Sequence, residues 1–131
     1  MGNFARTRLA ACAAAGMVLV AGLGIRAVAT GDVAKYAGDA LYTVLIQALV
    51  VLLAPRVRPL VAASVALAFS YAVELLQLTG VPAELAARSL AARLVLGSTF
   101  NAPDLLWYAV GAGCAGLVHR TLMFRGPSPV A

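Results

Sequence analysis

Four apolar stretches, each close to the length that crosses a bilayer as a helix, dominate this chain: Leu9 to Val28, Asp39 or Ala40 to Ala54, Leu60 to Leu78, and Leu105 to Leu122. About twenty residues span the hydrocarbon core, and only segments that satisfy their own backbone hydrogen bonds survive there. Composition agrees, with 63% of the 131 residues hydrophobic and 11% charged, against about 25% charged in a soluble domain. The expected fold is all-α: a polytopic membrane protein, a four-transmembrane-helix bundle, with residues 1–131 forming a single integral membrane domain. The second stretch offers only about fifteen residues before Pro55, so it must tilt little, thin the bilayer or borrow a turn from Lys35 to Gly38.

Connectors set the topology. Pro55 and Pro59 bracket a tight turn, because proline stops one helix and readily begins the next, so the second and third helices form an antiparallel hairpin. Thr30 to Gly38 is the expected first connector and Thr79 to Pro103 a long third one. Within the latter, Pro82 to Leu96 has helical composition, with Glu84 and Arg88 in the favourable i, i+4 order. It is expected to be a short interfacial helix in the outer loop between helices 3 and 4. On a helical wheel Arg93 falls nearly opposite Glu84 and Arg88, which turns Arg93 toward the bundle. Gly126 to Pro129 reads as a frayed tail.

The formal charge of +5 does not point to nucleic acid, because the basic residues are scattered at segment ends instead of clustered on one face. The N-terminus, the 55–59 turn and the C-terminal end hold Arg6, Arg8, Arg56, Arg58, Arg120 and Arg125, and the opposite loops hold Arg26, Lys35, Arg88 and Arg93. Six against four favours both termini in the cytoplasm. The N-terminal stretch imitates a secretory signal with Ala27-Val28-Ala29 as a cleavage site, but its apolar core is long and Arg26 abuts the site, so it reads as a span. Cys12 and Cys114 sit in apolar runs at different depths, which argues against a disulfide and a metal site and makes both packing residues. His119 is alone. No cofactor and no metal is expected, and without a Ser-His-Asp set or a phosphate-cradling glycine loop an ordinary hydrolase is not indicated.

With this topology every acid falls toward one membrane face: Asp32, Asp39, Glu84 and Asp104 on the outer side, and Glu74 one to two turns below it. Lys35, Asp39 and Tyr42 follow an i, i+4, i+7 course, Glu74 and Gln77 are i, i+3 neighbours, and Asp104 and Tyr108 are i, i+4 neighbours. Each helix thus presents a polar stripe near its outer end. Asp39 and Asp104 also suit helix N-termini, where they would cap backbone N–H groups, and Tyr36, Tyr42, Trp107 and Tyr108 suit an interfacial aromatic belt. Glu74 is harder to explain structurally, because a carboxylate within hydrocarbon costs several kcal/mol. It is expected to be protonated, paired with Arg93, Arg88 or Lys35, or facing a water-filled cleft. A structural Glu–Arg clasp and a ligand or proton site both remain open.

The runs Lys35-Tyr36-Ala37-Gly38-Asp39-Ala40-Leu41-Tyr42, Val73-Glu74-Leu75-Leu76-Gln77-Leu78, Arg93-Leu94-Val95-Leu96-Gly97-Ser98-Thr99-Phe100 and Asp104-Leu105-Leu106-Trp107-Tyr108-Ala109-Val110-Gly111 together resemble a family of small bacterial integral membrane proteins, domain-of-unknown-function family 2809. Glu-x-x-Gln on a helix, then a loop Arg and an Asp-led helix, is similar to VanZ-like proteins. The resemblance covers about residues 35 to 111 and departs at Ala102-Pro103 and at Ala87, where the nearest arginine is Arg88. It implies a multi-pass protein of the bacterial inner (cytoplasmic) membrane, N-in and C-in, with outward-facing polar residues and a link to the cell envelope, and it implies no reaction.

The functional reading is an outward-facing polar cleft binding a polar or anionic head group, with Lys35, Asp39, Tyr42, Glu74, Gln77, Arg93, Asp104 and Tyr108 as binding residues. Arginine would meet phosphate and the acids would position it. Expected partners are membrane lipids, among them a lipid-linked head group, and further copies of the chain as a homo-oligomer through small residues such as Gly16, Gly111 and Gly113. The alternatives are a membrane enzyme acting on a lipid-linked substrate with Glu74 as general base, or a proton-coupled transporter subunit.

Overall fold

The computed structural model describes residues 3–97 and 101–124; Arg125, the Gly126 to Pro129 tail and Ser98 to Phe100 lie outside the described residues. Helix α1 runs Asn3–Val28, α2 Gly31–Leu53, α3 Pro59–Leu76, α4 Val81–Arg88, α5 Leu90–Leu96 and α6 Ala102–Phe124, with a 3-10 turn at Gln77–Thr79 between α3 and α4. Among the described residues there is no strand. Three stretches are long and apolar enough to cross a membrane: Phe4–Val28, Gly31–Leu53 and Pro59–Thr79.

The α2–α3 hairpin forms as predicted: α2 stops at Leu53, Val57 N–H returns to the Ala54 carbonyl at 3.0 Å, and Pro59 opens α3 at a position where its missing N–H costs nothing. The start of α2 differs from expectation. It lies at Gly31, not at Asp39 or Ala40, so the first connector is only Ala29 and Thr30. Asp32, Lys35 and Gly38 lower the hydropathy of this segment without breaking a helix, and 23 residues at about 1.5 Å each reach about 35 Å, enough to span without borrowing. Gly31 takes φ +71°, a left-handed conformation glycine adopts without steric cost, which lets α1 and α2 reverse within two residues.

The outer connector also differs. The expected single segment from Pro82 to Leu96 is two helices, parted by Ser89 in extended conformation, whose hydroxyl accepts the Ala92 N–H at 3.2 Å. Serine competes well as an N-cap, so it starts a new helix instead of continuing the old one.

Helices α2, α3 and α6 pack on one another, and α1 lies against α2. The buried face of α3 is Ala62, Ala66, Ser70, Val73 and Glu74, that of α2 is Thr43, Gln47, Ala48 and Val51, and that of α6 includes Asp104, Tyr108 and Ala112. Small and polar residues thus fill the inside, while Leu60, Leu75, Leu106 and Leu117 point outward, each more than half exposed. Small residues let helix backbones approach where lipid, not water, surrounds them. Thr43 and Ser70 join α2 to α3 at 2.9 Å; since the Ser70 hydroxyl donates to the Ala66 carbonyl, Thr43 is the donor to Ser70. Away from the acids, Ala11, Val51 and Ala62 form an apolar cluster, and Arg56 sits 4.5 Å over the Phe4 ring. Cys12 and Cys114 are free and both exposed, so they are not the packing residues expected.

Helices α6 and α2 approach tightly at Gly111, where an added Cβ would collide with the Ala40 carbonyl oxygen, whereas one on Gly113 would meet nothing within 4 Å. Gly111→Ala should therefore destabilise the folded protein by about 1–3 kcal/mol in a thermal melt in detergent. Gly113→Ala should be neutral or slightly stabilising. Equal melting of the two variants would show that α2 and α6 do not touch there.

Candidate functional site

Glu74 is fully buried near the end of α3. Both carboxyl oxygens are engaged: Oε1 accepts the Asn101 backbone N–H at 2.7 Å, and Oε2 accepts the Tyr108 hydroxyl at 2.9 Å. The side chain therefore ties α3 to α6 and to the residue that leads into α6. No ion pair to Glu74 occurs among the described residues, so the pairing with Arg93, Arg88 or Lys35 open from the sequence is not what holds it. Two neutral donors do so. Leaving a buried acceptor unmatched costs about 1–3 kcal/mol and more for a charged group, which explains why both are present.

Asn101 has a second role. Its side-chain amide donates to Asp104 Oδ1 at 3.1 Å and its carbonyl accepts the Asp104 N–H at 3.0 Å, closing the entrance to α6. Asp104 is thus in the first turn of its helix, two residues inside the start that the capping reading expected it to mark, with its carboxyl on the Asn101 side chain, and it also lies 3.7 Å from Lys35 Nζ, a contact between α6 and α2. Asp39 does not cap, because α2 begins eight residues earlier, and its Oδ2 is buried with no hydrogen-bond partner.

The aromatic residues divide. Tyr36 and Trp107 stack with ring centroids 5.5 Å apart. Tyr108 is buried and flanked by the rings of Tyr42 and Tyr71 at 6.1 and 6.5 Å, so it is an internal donor and not a belt residue. The hydroxyl of Tyr71 donates to the Leu105 carbonyl at 2.9 Å. Tyr42 donates to the Val95 carbonyl at 2.7 Å and Gln77 Nε2 to the Leu96 carbonyl at 2.6 Å, and these two bonds hold α5 against the bundle. Gly97 takes φ +67°, which favours glycine, and a Cβ there would also push against the Gln77 amide that holds α5.

Between α1, α2 and α5 lies a cleft of about 640 Å³. Lys35, Asp39 and Tyr42 line it from α2, Gln77 from the end of α3, Arg93 from α5, and Asp104 and Tyr108 from α6. Seven of the eight side chains singled out in the sequence thus share one wall, and the eighth, Glu74, lies behind Tyr108. Arg93 also donates to the Ala86 carbonyl on α4 at 3.3 Å, whereas Arg88 pairs with Glu84 at the surface. Arg26 of α1 lines the same cleft and was not singled out as a binding residue by sequence reasoning, which used it to count basic residues by side and to argue against signal cleavage. Asn101 was also missed, although Asn-Ala-Pro-Asp is a helix-start pattern. The deeper wall is apolar, with Val18, Leu45 and Val73. Among the described residues no group of His, Cys, Asp and Glu can hold a metal ion.

An all-helical chain with three membrane-length apolar helices and a polar cleft at one end of them belongs to the class of multi-pass membrane-type bundles. More narrowly, the family model for "Protein of unknown function (DUF2809)" matches residues 28–112, more than half of the chain, and the protein belongs to that family. No curated protein and no solved structure matches.

Tyr108→Phe removes one donor to Glu74 and nothing else of size. It should cost about 1–3 kcal/mol of stability. Because the residues share one contact, the loss in Glu74→Leu/Tyr108→Phe should fall short of the two single losses added together. Strict additivity in that cycle would mean that the two side chains do not meet.

Proposed function

We propose that the protein is a four-span bacterial inner-membrane protein that holds the polar head group of a lipid in this cleft, its acyl chains lying along the apolar wall. The carrying observation is the composition of the cleft. Cationic Arg26, Lys35 and Arg93 stand with Asp39, Asp104 and Tyr42 at one end, and Val18, Leu45 and Val73 stand at the other. A cavity polar at one end and apolar at the other suits an amphiphile, and arginine pairs phosphate through charge-assisted hydrogen bonds.

In this reading α6 is the fourth span, supported by its 23 residues, and α4 and α5 lie at the outer boundary. Both termini are cytoplasmic, supported by Arg6, Arg8, Arg56, Arg58 and Arg120 at the opposite end from every acid. A role in cell-envelope physiology, as in VanZ-like proteins, follows from the similarity of the Glu-x-x-Gln, loop Arg and Asp-led motifs. Binding is favoured over catalysis by Glu74: both its oxygens are taken by protein donors and its side chain is closed off from solvent, whereas a general base must reach the proton it abstracts.

Lipids that copurify with the wild type and with Arg26→Ala/Arg93→Ala, counted per protein by mass spectrometry, test the reading. Both arginines are exposed, so the variant should fold. Phospholipid retention should fall several-fold, and an unchanged lipid profile would count against the cleft as a head-group site.

A further inference from the structure

Two of the cations that face the cleft lack an opposite charge. Lys35 is met by Asp104 at 3.7 Å, and Glu84 is taken by Arg88 at the surface. Among the described residues neither Arg26 nor Arg93 forms an ion pair; Arg93 gives one N–H to the Ala86 carbonyl, which leaves most of its five donors to spare. Both arginines are exposed and line the same cleft, within reach of whatever enters it. They come from different walls. Arg26 is in the last turn of α1 and Arg93 lies on α5; α1 packs chiefly along α2 and α5 chiefly along α4, and no packed interface joins α1 to α5. Two like charges on facing walls oppose the narrowing of the space between them until an anion stands there.

We propose that Arg26 and Arg93 bind one phosphate group between them, so that the phosphate of a bound lipid joins α1 to α5 and narrows the mouth of the cleft. The inference rests on the head-group reading above and adds to it a shared anion and a closing movement. Each guanidinium presents a fork of N–H donors that matches phosphate oxygens, and one phosphate has oxygens for two forks. Lys35 is the weaker candidate, because its charge is already met by Asp104. Closure breaks no packed interface, and the backbone changes direction at both walls: Ser89, extended, and Gly97, at φ +67°, bound α5, and Gly31, at φ +71°, stands where α1 gives way to α2. A ligand shifts such an equilibrium only as far as it binds one form better, and the closed form gains the second arginine. The apolar wall of Val18, Leu45 and Val73 favours a lipid over free phosphate as the source.

The test uses delipidated full-length protein in detergent, with Cys12 and Cys114 replaced by alanine and spin labels on Ala27→Cys and Leu90→Cys, two exposed positions outside the cleft lining. Pulsed electron paramagnetic resonance reads the α1–α5 distance, and native mass spectrometry reads lipid retention. Phosphatidylglycerol should shorten and narrow the distance distribution, whereas diacylglycerol with the same acyl chains, which lacks the phosphate, should leave it unchanged. Arg26→Gln and Arg93→Gln, the latter keeping a donor for the Ala86 carbonyl, should each abolish the shift and lower phosphatidylglycerol retention about tenfold. The double variant should fall little further, because losing either arginine already forfeits closure. Inorganic phosphate that shortens the distance as fully as the lipid does would keep the shared anion and remove lipid as its source. Phosphatidylglycerol retained with no change of distance, diacylglycerol acting as strongly as phosphatidylglycerol, or a double variant whose loss is the product of the single losses overturns the shared phosphate and leaves the head-group reading intact. No retention of lipid, together with indifference to both arginine variants, overturns that reading as well.

Discussion

The bundle depends on matching one buried carboxyl group without water. Glu74 lies on a helix long and apolar enough for a membrane, where each of its oxygens must find a protein donor. The donors it finds come from the residue that leads into the last helix and from a tyrosine about two turns further along it. This requirement fixes the register of α6 against α3. With that register set, Asp104 stands toward α2 and Lys35, and Gly111 stands against Ala40, where no side chain would fit.

The inside and outside of the molecule are reversed relative to a soluble bundle. Thr43, Gln47, Ser70, Glu74, Gln77 and Asp104 are buried, while large leucines and valines cover the surface. Helix α1 shows this most clearly: of its best 18-residue apolar window only 6% is buried within the protein. What packing α1 does make is chiefly along α2. The same arrangement leaves room between α1 and α5 for the cleft, because α5 is tied down by two hydrogen bonds and buries no residue of its own.

Much of this was legible from residue order. The proline-bracketed hairpin and the i, i+4 pairing of Glu84 with Arg88 follow from local rules, and the polar stripes that meet at the cleft follow from helical spacing. The start of α2 was not, because Asp32 and Lys35 hide a helix from a hydropathy reading. Nor was the break at Ser89, whose capping preference competes with a run of good helix formers. The partners of Glu74 were the least legible. A charge in an apolar segment suggests an opposite charge, but the match is a backbone N–H and a phenol, and a backbone donor leaves no mark on the sequence. The place of Arg26 in the cleft was not legible because it depends on α1 folding back on α2 within two residues.

The proposed head-group site requires a polar cleft that reaches into the membrane from the face that bears the acids. In a protein whose two cysteines are replaced by alanine, single cysteines at Gly38, Leu41 and Leu45 would line the cleft, and one at Leu75, next to Glu74, would face outward. Labelling intact cells with a membrane-impermeant maleimide should modify positions 38 and 41, fastest at 38, react little at position 45 on the apolar wall, and spare position 75. If position 38 reacts no faster than position 75, no aqueous cleft opens on that face and the account is wrong.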